Sequence, residues 1–303
     1  MTTAEMVDLS EERSLANTLR TYLDITRPKV IGLVVFTGLP ALLLGQDSWP
    51  DPVRAAWVLL GTGLAGGASS ALNAYFERET DARMARTRRR PLPAAVMLPR
   101  VVLAYGLLLL VVSTVILGAV GGALAVGVSL ATVAFYVGVY TLWLKPRTPQ
   151  NIVIGGAAGG TAPLIASAAM TGSLSLGALV MFLLIFLWTP PHFWAIALVR
   201  KAEYACAGFP MMPLVVGDQP TRWRSLAYAL ALFPVSLVPW WVGDLGVGYA
   251  VVAMMLNLWF TGSVVHSMVA QESTVDWRVF RVSIAYLMLL FGAMLVDLVW
   301  RLA

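Results

Sequence analysis

The chain has 303 residues and a formal net charge of +5, and 59% of its residues are hydrophobic but only 12% charged. Soluble domains carry about 25% charged residues, so half that fraction argues against a surface that is fully surrounded by water. The single cysteine, Cys206, excludes an intramolecular disulfide and a thiolate metal centre, and two histidines are too few for a multi-histidine metal site.

Apolar runs of about 20 residues recur along almost the whole chain, and each is long enough to cross a bilayer as a helix. They predict an all-α polytopic membrane protein with a single transmembrane domain, residues 29–303, after a polar N-terminal segment, residues 1–28. Several runs are rich in Gly and Ala, which predicts closely packed interior helices. The nine predicted spans lie near residues 29–45, 54–76, 101–119, 122–144, 151–170, 175–198, 225–243, 246–268 and 279–299.

The basic residues predict how the chain is oriented in the membrane. With nine spans, all Lys and Arg residues except Arg54 and Arg301 fall on one side, together with the N-terminus. Cytoplasmic loops carry the excess of Lys and Arg, so that side is predicted to be cytoplasmic and the protein to lie in the inner (cytoplasmic) membrane. The two long loops, about 77–100 and 199–224, place the chemistry on this face. Because topology explains the positive charge, no nucleic-acid partner is expected.

The end of the second span carries an unusual group of ionisable residues, in the stretch NAYFERETDARMARTRRRPLP that begins at Asn73. Asn73, Glu77 and Asp81 recur every four residues, so their side chains follow one stripe of a helix over about 12 Å of its axis. Amide and carboxylate oxygens are ligands that Mg²⁺ takes when it also binds substrate phosphates, and guanidinium groups suit phosphate oxygens. The stretch therefore predicts a magnesium–diphosphate site, and the alternative is an ordinary basic loop beside the membrane.

The same stretch resembles the first signature of the UbiA superfamily of intramembrane prenyltransferases, N-x-x-x-D-x-x-x-D, with Glu77 where Asp is commoner. The motif M-x-R-T-x-x-R-P-L, which begins at Met84, is similar to that of the branch that farnesylates protoheme IX. The segments DITRPKVIGLV, YTLWLKPRTPQNIVIGG, WTPPHFWAIAL and EYACAGFPMMPLVVG extend the resemblance over roughly residues 20–220.

This resemblance implies a nine-helix bundle with a central cavity and a cytoplasmic cap. It also implies Mg²⁺-dependent transfer of a farnesyl group from farnesyl diphosphate to a vinyl group of protoheme IX, which gives heme O and diphosphate. The expected partners are farnesyl diphosphate, protoheme IX and the lipid bilayer, with a downstream heme A synthase or terminal oxidase assembly.

Position by position, the resemblance implies roles for individual residues. The metal ligands would be Asn73, Glu77, Asp81 and, in the second acidic motif, Glu203. The diphosphate would be held by Arg83, Arg86, Arg90, Lys145, Arg147 and Lys201. The residues expected to carry catalysis are Asn73, Glu77, Asp81, Arg86 and Lys145.

The heme side of the site is predicted from aromatic residues and from His192 in the segment TPPHFW. His192 is expected to line the heme cavity, as an iron ligand or a propionate contact, or else to bond a backbone carbonyl freed by Pro190 and Pro191. Tyr140 and Trp188 are expected to contact heme in a π-rich wall that stabilises an allylic cation. The alternative for both aromatic residues is simple packing.

Two other functions fit the sequence less well. A UbiA-type enzyme could prenylate a quinone-precursor aromatic acid instead of heme. A transporter of an anionic lipid or porphyrin is the alternative from a different class, but such proteins place charges near the membrane midplane, whereas here the polar groups cluster at one face.

Overall fold

The computed structural model describes residues 3–46 and 48–303, with side chains from residue 15 onward. Every regular element in these ranges is a helix, which confirms the all-α prediction. The elements are α1 Thr3–Thr26, α2 Pro28–Leu43, α3 Pro52–Ala82, α4 Pro99–Ala134, a π-helical segment Phe135–Leu144, α5 Asn151–Gly159, α6 Ala162–Thr171, α7 Leu176–Val199, α8 Lys201–Cys206, α9 Met212–Val215, α10 Asp218–Trp241, α11 Val247–Ala270 and α12 Ser273–Leu302.

The described ranges contain six helices that are long and apolar enough to cross a membrane, and a seventh if α1 and α2, bent by 56°, form one span. The stretch Pro99–Leu144 is one of the six. It breaks at Gly122, whose φ of 78° and ψ of 178° are not helical, and two of the predicted spans meet there. The protein is therefore a multi-pass membrane protein, while the count of nine spans and the domain boundary at residue 28 stay predictions.

Small residues allow the helices to approach each other closely, as predicted. A Cβ added to Gly61 on α3 would lie 2.8 Å from Leu117 Cγ on α4. A Cβ added to Gly156 on α5 would lie 2.9 Å from Thr189 Cβ on α7. Distances below 3.0 Å cannot be accommodated without movement, so these glycines are contact points between helices.

Helix α3 carries the predicted metal ligands, and its ends are defined by local chemistry. At the start, Asp51 accepts a hydrogen bond from the Val53 N–H at 2.9 Å, and Pro52 occupies the first turn, where its missing N–H costs nothing. The helix continues to Ala82, six residues beyond the predicted end of the span at residue 76. The extra turns project the end of the polar stripe beyond the apolar part of the helix.

The last three long helices are joined by a buried ion pair that sequence analysis missed. Arg222 on α10 donates from Nη2 to Asp276 Oδ2 on α12 at 2.7 Å and from Nε to Ser267 Oγ on α11 at 3.1 Å. Both charged side chains are buried. Breaking such a pair leaves an uncompensated charge, so this contact holds the three helices together.

Candidate active site

The three oxygen donors predicted from the spacing lie on one face of α3 and are buried. Asn73, Glu77 and Asp81 are 1%, 7% and 2% exposed. Carboxylates are almost never buried without a partner, so their surroundings must supply opposite charge. The prediction of a shared polar stripe on one helix is confirmed.

Each of these donors contacts a cation from a different element. Arg27, between α1 and α2, donates from Nη2 to Asn73 Oδ1 at 2.9 Å. Arg90, in the loop after α3, pairs with Asp81 Oδ2 at 2.7 Å. Lys145, which follows the π-helical segment, pairs with Glu77.

Two of the contacts show that α3 and the π-helical segment run parallel with matched register. Asn73 contacts Thr141 and Glu77 contacts Lys145, and each pair is separated by 68 positions. A single alignment of the two helices therefore creates both contacts.

The basic loop after α3 is anchored by its uncharged residues. Met84 packs in a buried cluster with Trp194 and Phe209. Thr87 is fully buried and donates from Oγ1 to the Asp81 carbonyl at 2.6 Å. These contacts keep Arg90 beside Asp81.

The other cations predicted to hold diphosphate differ in position. Arg86 is exposed, and its positive charge contributes to lowering the pKa of Arg90 and that of Tyr204. Arg83 is exposed at the end of α3. Arg147 donates to the carbonyls at its own helix end, those of Leu142 and Trp143.

The second predicted acidic motif forms a separate ion-pair group. Glu203 Oε1 is 2.5 Å from Arg200 Nη1, and Lys201 Nζ is 2.7 Å from Asp218 Oδ1. Glu203 Oε2 is buried and has no hydrogen-bond partner among the residues that the structure describes. No group of three His, Cys, Asp or Glu side chains suited to a metal occurs in the described part of the chain, so Glu203 does not cluster with the two carboxylates of α3. Its role as a metal ligand stays a prediction.

Tyr204 connects this group to the polar stripe. Burial raises the pKa of the Tyr204 hydroxyl, the charges of Arg86 and Arg200 lower it, and those of Glu203 and Glu77 raise it. Burial also lowers the pKa of Arg90, Arg27 adds to that shift, and Asp81 opposes it. The charges near Tyr204 and those along the stripe are thus close enough to shift the pKa values of Tyr204 and Arg90.

A large apolar cavity lies beside the polar stripe. Its volume is about 850 Å³, and it is lined by residues of α2, α3, α4, the π-helical segment, α5, α6, α7 and α12. On α3 it reaches Ser69 and Ser70, one turn before Asn73. Tyr136, Tyr140 and Trp188 line it, and contact of the last two with heme stays a prediction.

His192 also lines this cavity, and both faces of its ring are covered. Trp188 and Phe280 stack on it, with ring centroids 4.2 and 4.7 Å away. Its Nδ1 lies 2.7 Å from Ser283 Oγ on α12. The alternative in which it bonds a carbonyl freed by Pro190 or Pro191 is therefore wrong for Nδ1, because a hydroxyl of another helix takes that role.

Sequence analysis missed three residues at the site. Arg27 lies in the segment DITRPKVIGLV, but no role was predicted for it. Its charge, directly before Pro28, is the signal that could have identified it. Thr141 and Ser283 had no local signal, because a lone hydroxyl in an apolar run is common and usually bonds its own helix.

The donor set fits a hard divalent cation such as Mg²⁺. One amide oxygen and two carboxylates are buried along one face, and three cations sit beside them where a polyanion could take over their pairing. The apolar cavity next to them suits a hydrocarbon chain or a large planar ring. The arrangement can bind a phosphorylated lipid with its head at the stripe and its tail in the cavity.

The chain is similar to known proteins over most of its length. The UbiA prenyltransferase family matches residues 34–293. The protoheme IX farnesyltransferase of Brucella anthropi is 42% identical over 289 residues, covering 92% of this chain and 91% of the relative.

Solved structures share the fold. A digeranylgeranylglyceryl phosphate synthase superposes with a TM-score of 0.78 at 16% identity, covering 94% of this chain and 99% of that one. A UbiA homolog from Archaeoglobus fulgidus bound to DMAPP and Mg²⁺ superposes with a TM-score of 0.65 at 13% identity, covering 90% and 99%. The chain belongs to the UbiA prenyltransferase family.

Proposed function

We propose that this enzyme transfers the farnesyl group of farnesyl diphosphate to a vinyl group of protoheme IX and releases heme O and diphosphate, with Mg²⁺ as cofactor. The observation that carries the proposal is the buried stripe of three oxygen donors, each beside a cation, at one end of a large apolar cavity. The name of the Brucella anthropi relative supports the choice of both substrates.

The oxygen donors of the stripe and the cations beside them would bind different parts of the metal–diphosphate group. Asn73, Glu77 and Asp81 would hold Mg²⁺, which supplies countercharge for the departing diphosphate when it is bound. Lys145 and Arg90 would then leave their carboxylates and turn to the diphosphate oxygens, with Arg86 close by. The exchange keeps every charge paired, so it avoids the cost of an isolated buried ion.

The cavity would protect the reactive allylic group after the bond to diphosphate breaks. Tyr136, Tyr140 and Trp188 line the cavity, and aromatic rings there would attract a cation and exclude water. The vinyl carbon of heme would supply the electron pair for the new carbon–carbon bond. Water then adds as hydroxide to the cation left on the heme side, and its proton is released.

The heme macrocycle would lie against the wall formed by His192, Trp188 and Tyr140. The imidazole of His192 is held between the rings of Trp188 and Phe280, and its Nδ1 lies 2.7 Å from the Ser283 hydroxyl, so this part of the wall is rigid. This placement agrees with a planar acceptor in the apolar cavity.

We further propose an inner-membrane location with a cytoplasmic N-terminus and a cytoplasmic active site, one catalytic domain over residues 29–303, and delivery of heme O to a heme A synthase or terminal oxidase assembly. The distribution of Lys and Arg supports the orientation. The two cations predicted on the outer side have structural partners there. Arg54 donates to the carbonyls of Val120 and Ala169, and Arg301 pairs with Asp297.

One assay tests the proposed reaction. The purified protein is incubated with Mg²⁺, farnesyl diphosphate and heme B, and the mass of the extracted heme is measured. We expect a heme heavier by one hydroxyethylfarnesyl modification, and no product without Mg²⁺. Unchanged heme together with a prenylated aromatic acid in a parallel reaction would reject heme as the acceptor.

A further inference from the structure

We infer that Thr141 is a positioning residue that sets which atom of the Asn73 amide faces the metal site; the inference rests on the proposed function. Asn73 has an oxygen that binds a cation and an NH₂ group that does not. A buried asparagine in a metal site must therefore be held in one of two orientations that have nearly the same shape.

The hydrogen bonds around Thr141 allow one of these orientations. Thr141 donates its hydroxyl proton to the Tyr136 carbonyl at 2.9 Å, so its oxygen is free only to accept. It accepts from Asn73 Nδ2 at 3.1 Å. Both side chains are buried, so water does not replace these partners.

A second partner on the opposite side of the amide agrees with this orientation. Arg27 Nη2 lies 2.9 Å from Asn73 Oδ1, and a guanidinium has only donors, so it must face the oxygen. Thr141 holds the NH₂ group and Arg27 marks the place of the oxygen. When the cation of the proposed site takes the place of Arg27, Thr141 remains to keep the oxygen in position.

The π-helical segment makes this arrangement possible. In an α-helix the hydroxyl of a threonine bonds the carbonyl three or four residues earlier. Here it bonds the carbonyl five residues earlier, within the wider turn of Phe135–Leu144. Single π-helical turns occur frequently at functional sites. The wider turn lets Thr141 donate its hydroxyl proton to the Tyr136 carbonyl while its oxygen still accepts from Asn73 on α3.

Thr141→Val keeps the shape of the side chain and removes the acceptor. The buried NH₂ group of Asn73 then loses its partner, and once the cation takes the place of Arg27, no protein group holds the amide oxygen toward it. Removing a partner that orients a metal ligand costs about 10–100-fold in metal affinity. We expect this loss for Thr141→Val and Thr141→Ala, and near wild-type affinity for Thr141→Ser, which restores the hydroxyl.

The test measures Mn²⁺ binding to the full chain in lipid nanodiscs with the unreactive analogue farnesyl thiolodiphosphate, from the electron paramagnetic resonance signal of free Mn²⁺. Thr114→Val is the matched control, because Thr114 donates its hydroxyl proton to the Leu110 carbonyl of its own helix. Mn²⁺ binding by Thr141→Val and Thr141→Ala within about twofold of wild type would overturn the inference. Melting temperatures identify folded variants, and Thr141→Ala serves if Thr141→Val does not fold.

A double-mutant cycle separates orientation from packing. In Asn73→Asp both oxygens of the side chain can bind a cation, so no orientation remains to be held. Thr141→Val should then weaken Mn²⁺ binding by less than about twofold relative to Asn73→Asp alone. An equal loss in both backgrounds would assign Thr141 a packing role instead.

These results are independent of the test of the reaction. Wild-type protein that binds Mn²⁺ through Thr141 but leaves heme unmodified would reject the acceptor and keep the inference. If wild-type protein farnesylates heme and Thr141→Val does not change Mn²⁺ binding, the proposed reaction is kept and the role of Thr141 is rejected.

Discussion

Lys145→Met should destabilise the metal-free protein far more than the loss of an ordinary surface charge. Lys145 and Glu77 have 13% and 8% exposed side chains, so the substitution leaves a buried carboxylate without a partner. Removing one member of a buried ion pair costs about 3–5 kcal/mol. With an unfolding entropy of about 2.1 cal/mol/K per residue, a chain of 303 residues loses roughly 1.6 °C of melting temperature per kcal/mol, so we expect a decrease of about 5–8 °C.

Lys201→Met is the matched control for stability. The side chains of Lys201 and Asp218 are 40% and 46% exposed, and pairs in water contribute about 0–1 kcal/mol. The decrease for this variant should therefore be small. Melting in detergent, followed by intrinsic fluorescence, compares the two variants directly.

Addition of Mg²⁺ distinguishes an ion-pair role from simple packing. If Glu77 is a metal ligand, Mg²⁺ supplies the charge that Lys145 no longer supplies, so part of the lost stability of Lys145→Met should return. Pyrophosphate should still bind more weakly than to wild type, because one of its predicted cations is gone. Equal destabilisation of the two variants, or no recovery with Mg²⁺, would refute the exchange of partners.

Three further substitutions test separate parts of the structure. Asp81→Ala should abolish heme farnesylation, at least about 100-fold in kcat, because a predicted metal ligand is lost; near-normal product by mass analysis would reject that assignment. Gly155→Ala should lower turnover about tenfold, because the added Cβ would lie 2.2 Å from Tyr140 Cδ2 and push that ring into the cavity; an unchanged rate would show that the ring does not matter. Arg222→Met should cost about 3–5 kcal/mol by leaving Asp276 unpaired, without changing Mn²⁺ affinity in the folded fraction, as melting and titration would reveal.

The polar stripe could be predicted from sequence because its cause is local. A helix turns by 100° per residue, so Asn73, Glu77 and Asp81 must share a face wherever that segment is helical. In an apolar chain, the charges of Glu77 and Asp81 also favour a position that faces a cavity rather than lipid. The cavity-lining position of His192 was predicted less directly, from its place in the segment TPPHFW, and contact of Tyr140 and Trp188 with heme stays a prediction.

The partners of the stripe could not be predicted in the same way. Thr141 contacts Asn73, and Lys145 contacts Glu77, only because two helices pack side by side with an offset of 68 positions in the sequence. No local sequence pattern specifies that alignment. The π-helical segment contains no Pro, and its single glycine, Gly138, does not indicate a wider turn because glycines are common in the apolar runs of this chain. Arg222 was overlooked because it precedes the predicted span at residue 225, whereas α10 already begins at Asp218.

The shared register of α3 and the π-helical segment links the active site to the thickness of the surrounding bilayer. Both elements belong to membrane-spanning helices, and such helices tilt when their apolar length does not match the hydrocarbon layer. A slide of one helix past the other would part Asn73 from Thr141 and Glu77 from Lys145 at the same time. Lipids with longer or shorter acyl chains would then alter metal binding and diphosphate binding together, without touching either ligand.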